Sequence, residues 1–152
     1  KQDIHEPIIQ DCEHIIRSIK DNPLIKHNIS RCYYNPSEDY ISLPTISSFD
    51  TPDEYYSTLF HELVHWTGHS SRLNRDLKNK DQEHNAFEEL IAELGSSYLC
   101  GLCNLIPAVL DNQAAYIQSW INLITTDKDA LIRATSEAKK AVNYILEKNS
   151  LS

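Results

Sequence analysis

Between Ile8 and Lys20 apolar residues recur at three- and four-residue spacing (Ile8, Ile9, Cys12, Ile15, Ile16, Ile19), which predicts an amphipathic helix that Asn22-Pro23 stops. The stretches Ile25 to Tyr34 and Tyr40 to Leu43 read as two short strands. Asn35-Pro36-Ser37-Glu38-Asp39 joins them as a turn with proline at its first central position, and Pro44 closes the second strand. Thr51-Pro52-Asp53-Glu54 then supplies an N-cap, a proline at the first helical position and a capping-box glutamate. A helix is expected from Pro52 to about Thr67, with Gly68 as a left-handed C-cap. The polar run Ser70 to Gln82 is loop, and a second long helix follows from about Glu83 to Leu99, ending at Gly101. Asp111 is placed to cap a third helix reaching Ile124, and Thr126 to Asp129 to open a fourth that runs to Glu147. The expected class is α+β, mostly helical with a small antiparallel hairpin ahead of the Pro52 helix. No internal repeat interrupts the order.

Composition narrows the picture. A chain of 152 residues suits one domain, residues 1–152, that buries about 68–70% of its unfolded surface. Lys and Arg number 14 against 22 Asp and Glu, a net charge of −8, so the chain lacks the basic field behind non-specific DNA affinity. No run approaches the ~18 apolar residues of a membrane span, and Lys1 to Gln10 has no signal-peptide core, so the expectation is a cytoplasmic protein with no membrane contact. The chain opens at Lys1 and contains no methionine, which reads as a domain cut from a longer protein. Four cysteines are too few for a disulfide scaffold. Cys100-Gly-Leu-Cys103 lacks the second close pair of a zinc ribbon and closes a helix where a redox pair would open one, so buried free thiols are expected.

The chemistry concentrates in His61-Glu62-Leu63-Val64-His65, well inside the helix that its own cap predicts. Histidines at i and i+4 lie one turn apart on one face, so both imidazoles can reach one zinc ion, and Glu62 can hold a water beside it without ligating. The bland alternative is a surface His/Glu cluster. On the next helix Glu89 and Glu93 are again four apart, within Glu88-Glu89-Leu90-Ile91-Ala92-Glu93. This pattern resembles the glutamate-zincin arrangement, which implies Glu89 as third metal ligand and Glu93 as the acid hydrogen-bonded to a ligand histidine. A plain solvated acidic face is the alternative. His69 competes for the third position, although Gly68 argues that the helix has ended before it, which leaves His69 a wall or supporting role. His5, His14 and His27 have no partner pattern and are expected at the surface; His84 is a weak candidate.

Longer runs carry a wider resemblance. Tyr34 to Pro44, Tyr55-Tyr56, His61 to His69, Arg72-Leu73-Asn74-Arg75 and Glu88 to Gly95 are similar to the C-terminal metallopeptidase domain of ArdC-type antirestriction proteins. Ala115-Tyr116-Ile117, Trp120 and Ala138-Lys139-Lys140-Ala141 match the same family's tail, so the resemblance spans about residues 25 to 148. It implies a zincin-like fold carried on mobile elements and preceded by an N-terminal single-stranded-DNA-binding domain, which this sequence lacks. It also implies a zinc-dependent peptidase acting on a peptide or protein, with Glu62 as general base. Tyr116 is the candidate for steadying the oxyanion, its alternative being core packing. The strand Tyr40 to Leu43 would lie at the sheet edge, as in zincins, and pair with an extended substrate; an ordinary hairpin strand is the alternative. A second functional class stays open, a non-catalytic antirestriction module with a structural zinc that binds a host restriction enzyme or mimics DNA.

Overall fold

The computed structural model describes residues 8–27, 30–107 and 113–147. Its first helix, α1 (Gln10–Arg17), turns Cys12 into the core. It ends short of Lys20 because Ser18 Oγ donates back to the His14 carbonyl (2.6 Å), and Asp21 and Asn22 take left-handed φ values of 73° and 43° before Pro23.

Three short strands follow: β1 (Ile25–Lys26), β2 (Tyr33–Asn35) and β3 (Tyr40–Ser42). The β2–β3 hairpin is antiparallel, and its turn is held by Asn35 Oδ1 accepting from the Ser37 and Glu38 amides at 2.9 and 3.0 Å. The sheet order is β1-β3-β2, with β1 parallel to β3. Two expectations are corrected here. The stretch from Ile25 to Tyr34 is two strands on opposite sides of β3, and the Tyr40 strand is central instead of lying at the edge. All three β3 residues are buried, where unpaired backbone groups would be costly, so both its edges are taken by other strands.

The central helix α2 (Pro52–Thr67) has the predicted bounds: Thr51 Oγ1 accepts from the Glu54 amide at 3.2 Å and Pro52 opens the first turn. It is buried almost all round, as expected of a helix enclosed by other elements. Gly68 does cap it, but at φ −80°, so the expected left-handed cap is not what the glycine supplies.

Helix α3 (Gln82–Leu102) starts on the Asp81 side chain, which accepts from the His84 amide, and it continues through Gly101. Its stop is Asn104, at φ 55°, after which the Leu105 amide returns to the Cys100 carbonyl at 2.9 Å. Helices α4 (Gln113–Thr126) and α5 (Ala130–Leu146) complete the described chain; the proposed Asp111 cap lies outside the described residues. Ala130, Ala134, Ala138 and Ala141 face inward on α5, whose small side chains allow close packing on α3. Gly95 brings α3 against α2: a Cβ there would stand 2.9 Å from Val64 Cγ2. No helix among the described residues is long and apolar enough to cross a membrane.

Candidate metal centre

The α2 register puts His61 and His65 on one face, their rings 4.9 Å apart and steeply inclined at 80°. The close approach at Gly95 lets Glu89 of α3 reach both: Oε2 lies 3.1 Å from His61 Nε2 and Oε1 lies 3.2 Å from His65 Nε2. One nitrogen from each ring and one carboxylate oxygen all fall within 4.8 Å of one another, the one such group among the described residues. Two imidazole nitrogens and a carboxylate form a donor set that suits a divalent transition ion, so the residues fit the metal that the sequence implies.

The outer ring nitrogens are held differently. Glu93 Oε1 lies 3.0 Å from His61 Nδ1 but off the ring N–H axis, so this is an ion-pair contact without hydrogen-bond alignment. His65 Nδ1 bonds Glu88 Oε2 at 2.7 Å. Glu88 is in turn gripped by Arg75, with Nε donating to Oε1 at 2.7 Å and Nη2 to Oε2 at 3.2 Å. Sequence reasoning gave neither Glu88 nor Arg75 a role. The available signal was a buried-helix carboxylate that needs a cation, together with an arginine in the otherwise unexplained Arg72-Leu73-Asn74-Arg75 run.

The electrostatics follow from this enclosure. Burial disfavours a charged ring at both histidines, yet Glu89 and Glu93 raise His61 to about 9, and Glu89 and Glu88 raise His65 well above its ordinary value. Burial pushes the Glu88 and Glu89 carboxyls up, but the facing histidines, and for Glu88 also Arg75, carry both below the usual carboxylate range. Glu62 goes the other way. It is only 7% exposed, and desolvation raises its pKa despite the adjacent histidines and a backbone hydrogen bond from Tyr34.

The other candidates lie further out. Tyr116 of α4 stacks on Trp120 with centroids 6.0 Å apart, and Trp120 Nε1 donates to the Ala86 carbonyl of α3 at 2.8 Å. Burial first and the Glu89 charge second push the Tyr116 phenol up, so the ring stands within electrostatic reach of the centre. His69 follows the end of α2, outside the three-residue group; its Nδ1 accepts from the Ser71 amide at 3.1 Å. His84 Nε2 bonds the Asp76 carbonyl, and His27 Nδ1 bonds the Leu43 carbonyl at 3.1 Å. His27 is thus engaged with the fold, and His14 is exposed. Cys100 and Cys103 are buried free thiols, joined in the core by Cys12.

Two arginines fasten the end of α2. Arg72 lies 3.9 Å over the Trp66 ring, donates from Nε to the Trp66 carbonyl at 2.7 Å, and pairs with Asp39 and Tyr34 of the hairpin. Arg75 donates to the Val64 carbonyl at 2.7 Å and to Thr67 Oγ1 at 3.1 Å.

A crystal structure of the antirestriction protein ArdC from plasmid R388, in its Mn(II)-bound form, superposes with a TM-score of 0.85 at 37% identity. The match covers 100% of this chain and 57% of that one. The metal-free form of the same protein gives 0.76 at 40% identity over 94% of this chain and 50% of that one. In sequence, DNA primase TraC of Escherichia coli is 39% identical over 140 residues, 91% of this chain but 13% of the primase. Protein y4eC of Sinorhizobium fredii is 34% identical over 122 residues, 80% of this chain and 40% of that protein. The zincin-like metallopeptidase family matches residues 10–137, and to that family this chain belongs.

Proposed function

We propose that the chain is the metallopeptidase domain of an antirestriction protein from a mobile element, hydrolysing a peptide bond in a protein substrate. The observation that carries this reading is Glu62, an ionisable group kept buried beside two histidines that converge on Glu89. A site that used its metal for structure alone would have no need of that carboxylate. His61, His65 and Glu89 would hold the ion, with Glu93 behind His61. Zinc is the expected ion for this donor set, and the Mn(II) form of the related ArdC makes manganese the alternative to test.

A divalent ion held there by His61, His65 and Glu89 would supply Lewis-acid polarisation of a scissile carbonyl and a more acidic water. Glu62 accepts the proton of the attacking water and returns it to the leaving amine. Tyr116 donates a hydrogen bond to the oxygen that gains charge. His69, just past the end of α2, would take a wall role outside the ligand set. This chain spans little more than half of R388 ArdC and about an eighth of TraC. A host restriction enzyme is the candidate substrate or partner, and single-stranded DNA would be bound by an N-terminal domain.

Glu62→Gln tests the reading directly. The variant is expected to keep its metal, by elemental analysis, and its thermal midpoint, while losing hydrolysis of a peptide library. Glu89→Ala and the His61→Ala, His65→Ala pair are expected to lose the metal itself. Full protection against restriction by Glu62→Gln would instead establish a binding module in which hydrolysis plays no part.

A further inference from the structure

An imidazole that ligates through Nε2 must carry its proton on Nδ1, and the acceptor of that proton fixes both tautomer and ring direction. For His65 the acceptor is Glu88 Oε2 at 2.7 Å. Glu88 cannot be aimed by α3 alone, because a glutamate side chain has several rotatable bonds. Arg75 removes that freedom with a two-pronged grip on both carboxylate oxygens. Arg75 is itself fixed to α2, by its bonds to the Val64 carbonyl and Thr67 Oγ1 and by its own amide, which donates to the Gly68 carbonyl at 2.9 Å. The path therefore leaves α2 at Val64, passes through Arg75 and Glu88, and returns to α2 at His65.

Gly68 makes room for this path. A Cβ at that position would come 2.9 Å from Arg75 Nη2 and 3.0 Å from its Cζ, with Leu77 Cδ2 also at 3.0 Å. The guanidinium packs directly against the bare glycine. Its side chain is 8% exposed and has bonds to lose on every side, so it could not swing away cheaply. This accounts for a glycine whose φ of −80° any residue could adopt.

Resting on the metal-site reading above, we infer that Arg75, seated on Gly68, is a positioning residue that acts through Glu88 to aim His65 Nε2 at the metal. On the other histidine, Nδ1 of His61 faces Glu93 Oε1 at 3.0 Å.

The test is Zn(II) and Mn(II) affinity, measured by competition with a chromophoric chelator on the full chain, alongside the thermal midpoint of each metal-free variant. Arg75→Gln and Glu88→Gln are each expected to weaken binding by about 10–100-fold, the usual cost of losing an outer partner of a ligand. Because Arg75 acts through Glu88, the double variant should bind no worse than the weaker single one. Gly68→Ala, which removes no charge and no ligand, should weaken binding in the same direction, and Arg75→Lys should recover part of the loss. Arg72→Gln is the control, since it loosens the same helix end without touching Glu88; it should lower the thermal midpoint and leave affinity unchanged. The inference is overturned by unchanged affinity in Arg75→Gln, by additive losses in the double variant, or by an equal loss in Arg72→Gln. If the unsubstituted chain binds neither ion, the metal reading itself is what has failed. Where Arg75→Gln does not fold, Gly68→Ala and Glu88→Gln decide the matter alone.

Discussion

Helices α2 and α3 are joined by ion pairs between histidines and glutamates, by the Arg75 grip and by a glycine contact at Gly95; α4 is docked on α3 by an indole and one long Gln82–Ser119 bond. On α4, Ile117 and Ile121 remain about half exposed, while α2 is enclosed along most of its length. The difference separates two tasks. The groups proposed to hold the ion need a direction set before it arrives, and they sit where charge and close packing restrict them. A group that meets a substrate can sit on an element of lower local stability, and on the proposed reading Tyr116 of the less enclosed α4 would be that group.

The largest effect expected from this contrast follows metal removal. At an ion concentration a thousandfold above Kd, the loaded chain should be more stable than the stripped chain by about 4 kcal/mol. Hydrogen exchange should show the loss of protection concentrated in α2 and α3; equal loss in α4 would erase the distinction. Next comes Gly95→Leu, which forces a side chain into Val64 and should cost about 1–3 kcal/mol or more in chemical denaturation. The metal affinity of whatever folds should fall as well, since Glu89 rides on the same approach of α3 to α2.

Asp39→Asn should cost less, about 1–2 kcal/mol, because the carboxylate that pairs with the buried Arg72 is itself about a third exposed. Burial pushes the Asp39 carboxyl up, but hydrogen bonds from Arg72 and Tyr34 outweigh it and lower its pKa. A depressed carboxyl contributes stability above the unfolded value of about 4 and loses it as pH falls through the folded value below. The gap between wild type and Asp39→Asn should therefore be constant near neutrality and close in acid; a gap that widens in acid would assign the stabilisation to another group. Trp120→Phe should have the smallest effect, about 1 kcal/mol for one lost hydrogen bond, with metal affinity unchanged. A fall in hydrolysis without a change in affinity would place Tyr116 with the substrate.

What the sequence disclosed follows the range of the interactions. Helix α2 was legible to the residue because Thr51, Pro52 and Glu54 act within one turn, and His61 and His65 inherit their common face from it, with Glu62 one residue round. Glu89 and Glu93 were legible from their own spacing and a family resemblance. The partners of β3 were not, because pairing joins segments through burial that no local pattern announces. Gly68 and Gly101 misled for one reason: glycine was read as a left-handed stop, while the left-handed position after α3 falls to Asn104 and Gly68 serves a side chain seven residues on. Glu88 escaped because the choice among three neighbouring carboxylates depends on how α3 is rotated against α2, which the Gly95 contact decides.

The gap over Gly68 also bears on how this chain can drift. Positions 68, 75 and 88 lie on three separate segments yet are coupled physically, because losing the arginine would remove the reason for the glycine and strand the carboxylate. A lineage that abandons one of the three is released from the other two. Descendants should therefore carry the whole set or none of it, and a lone survivor marks a lineage caught midway through the exchange.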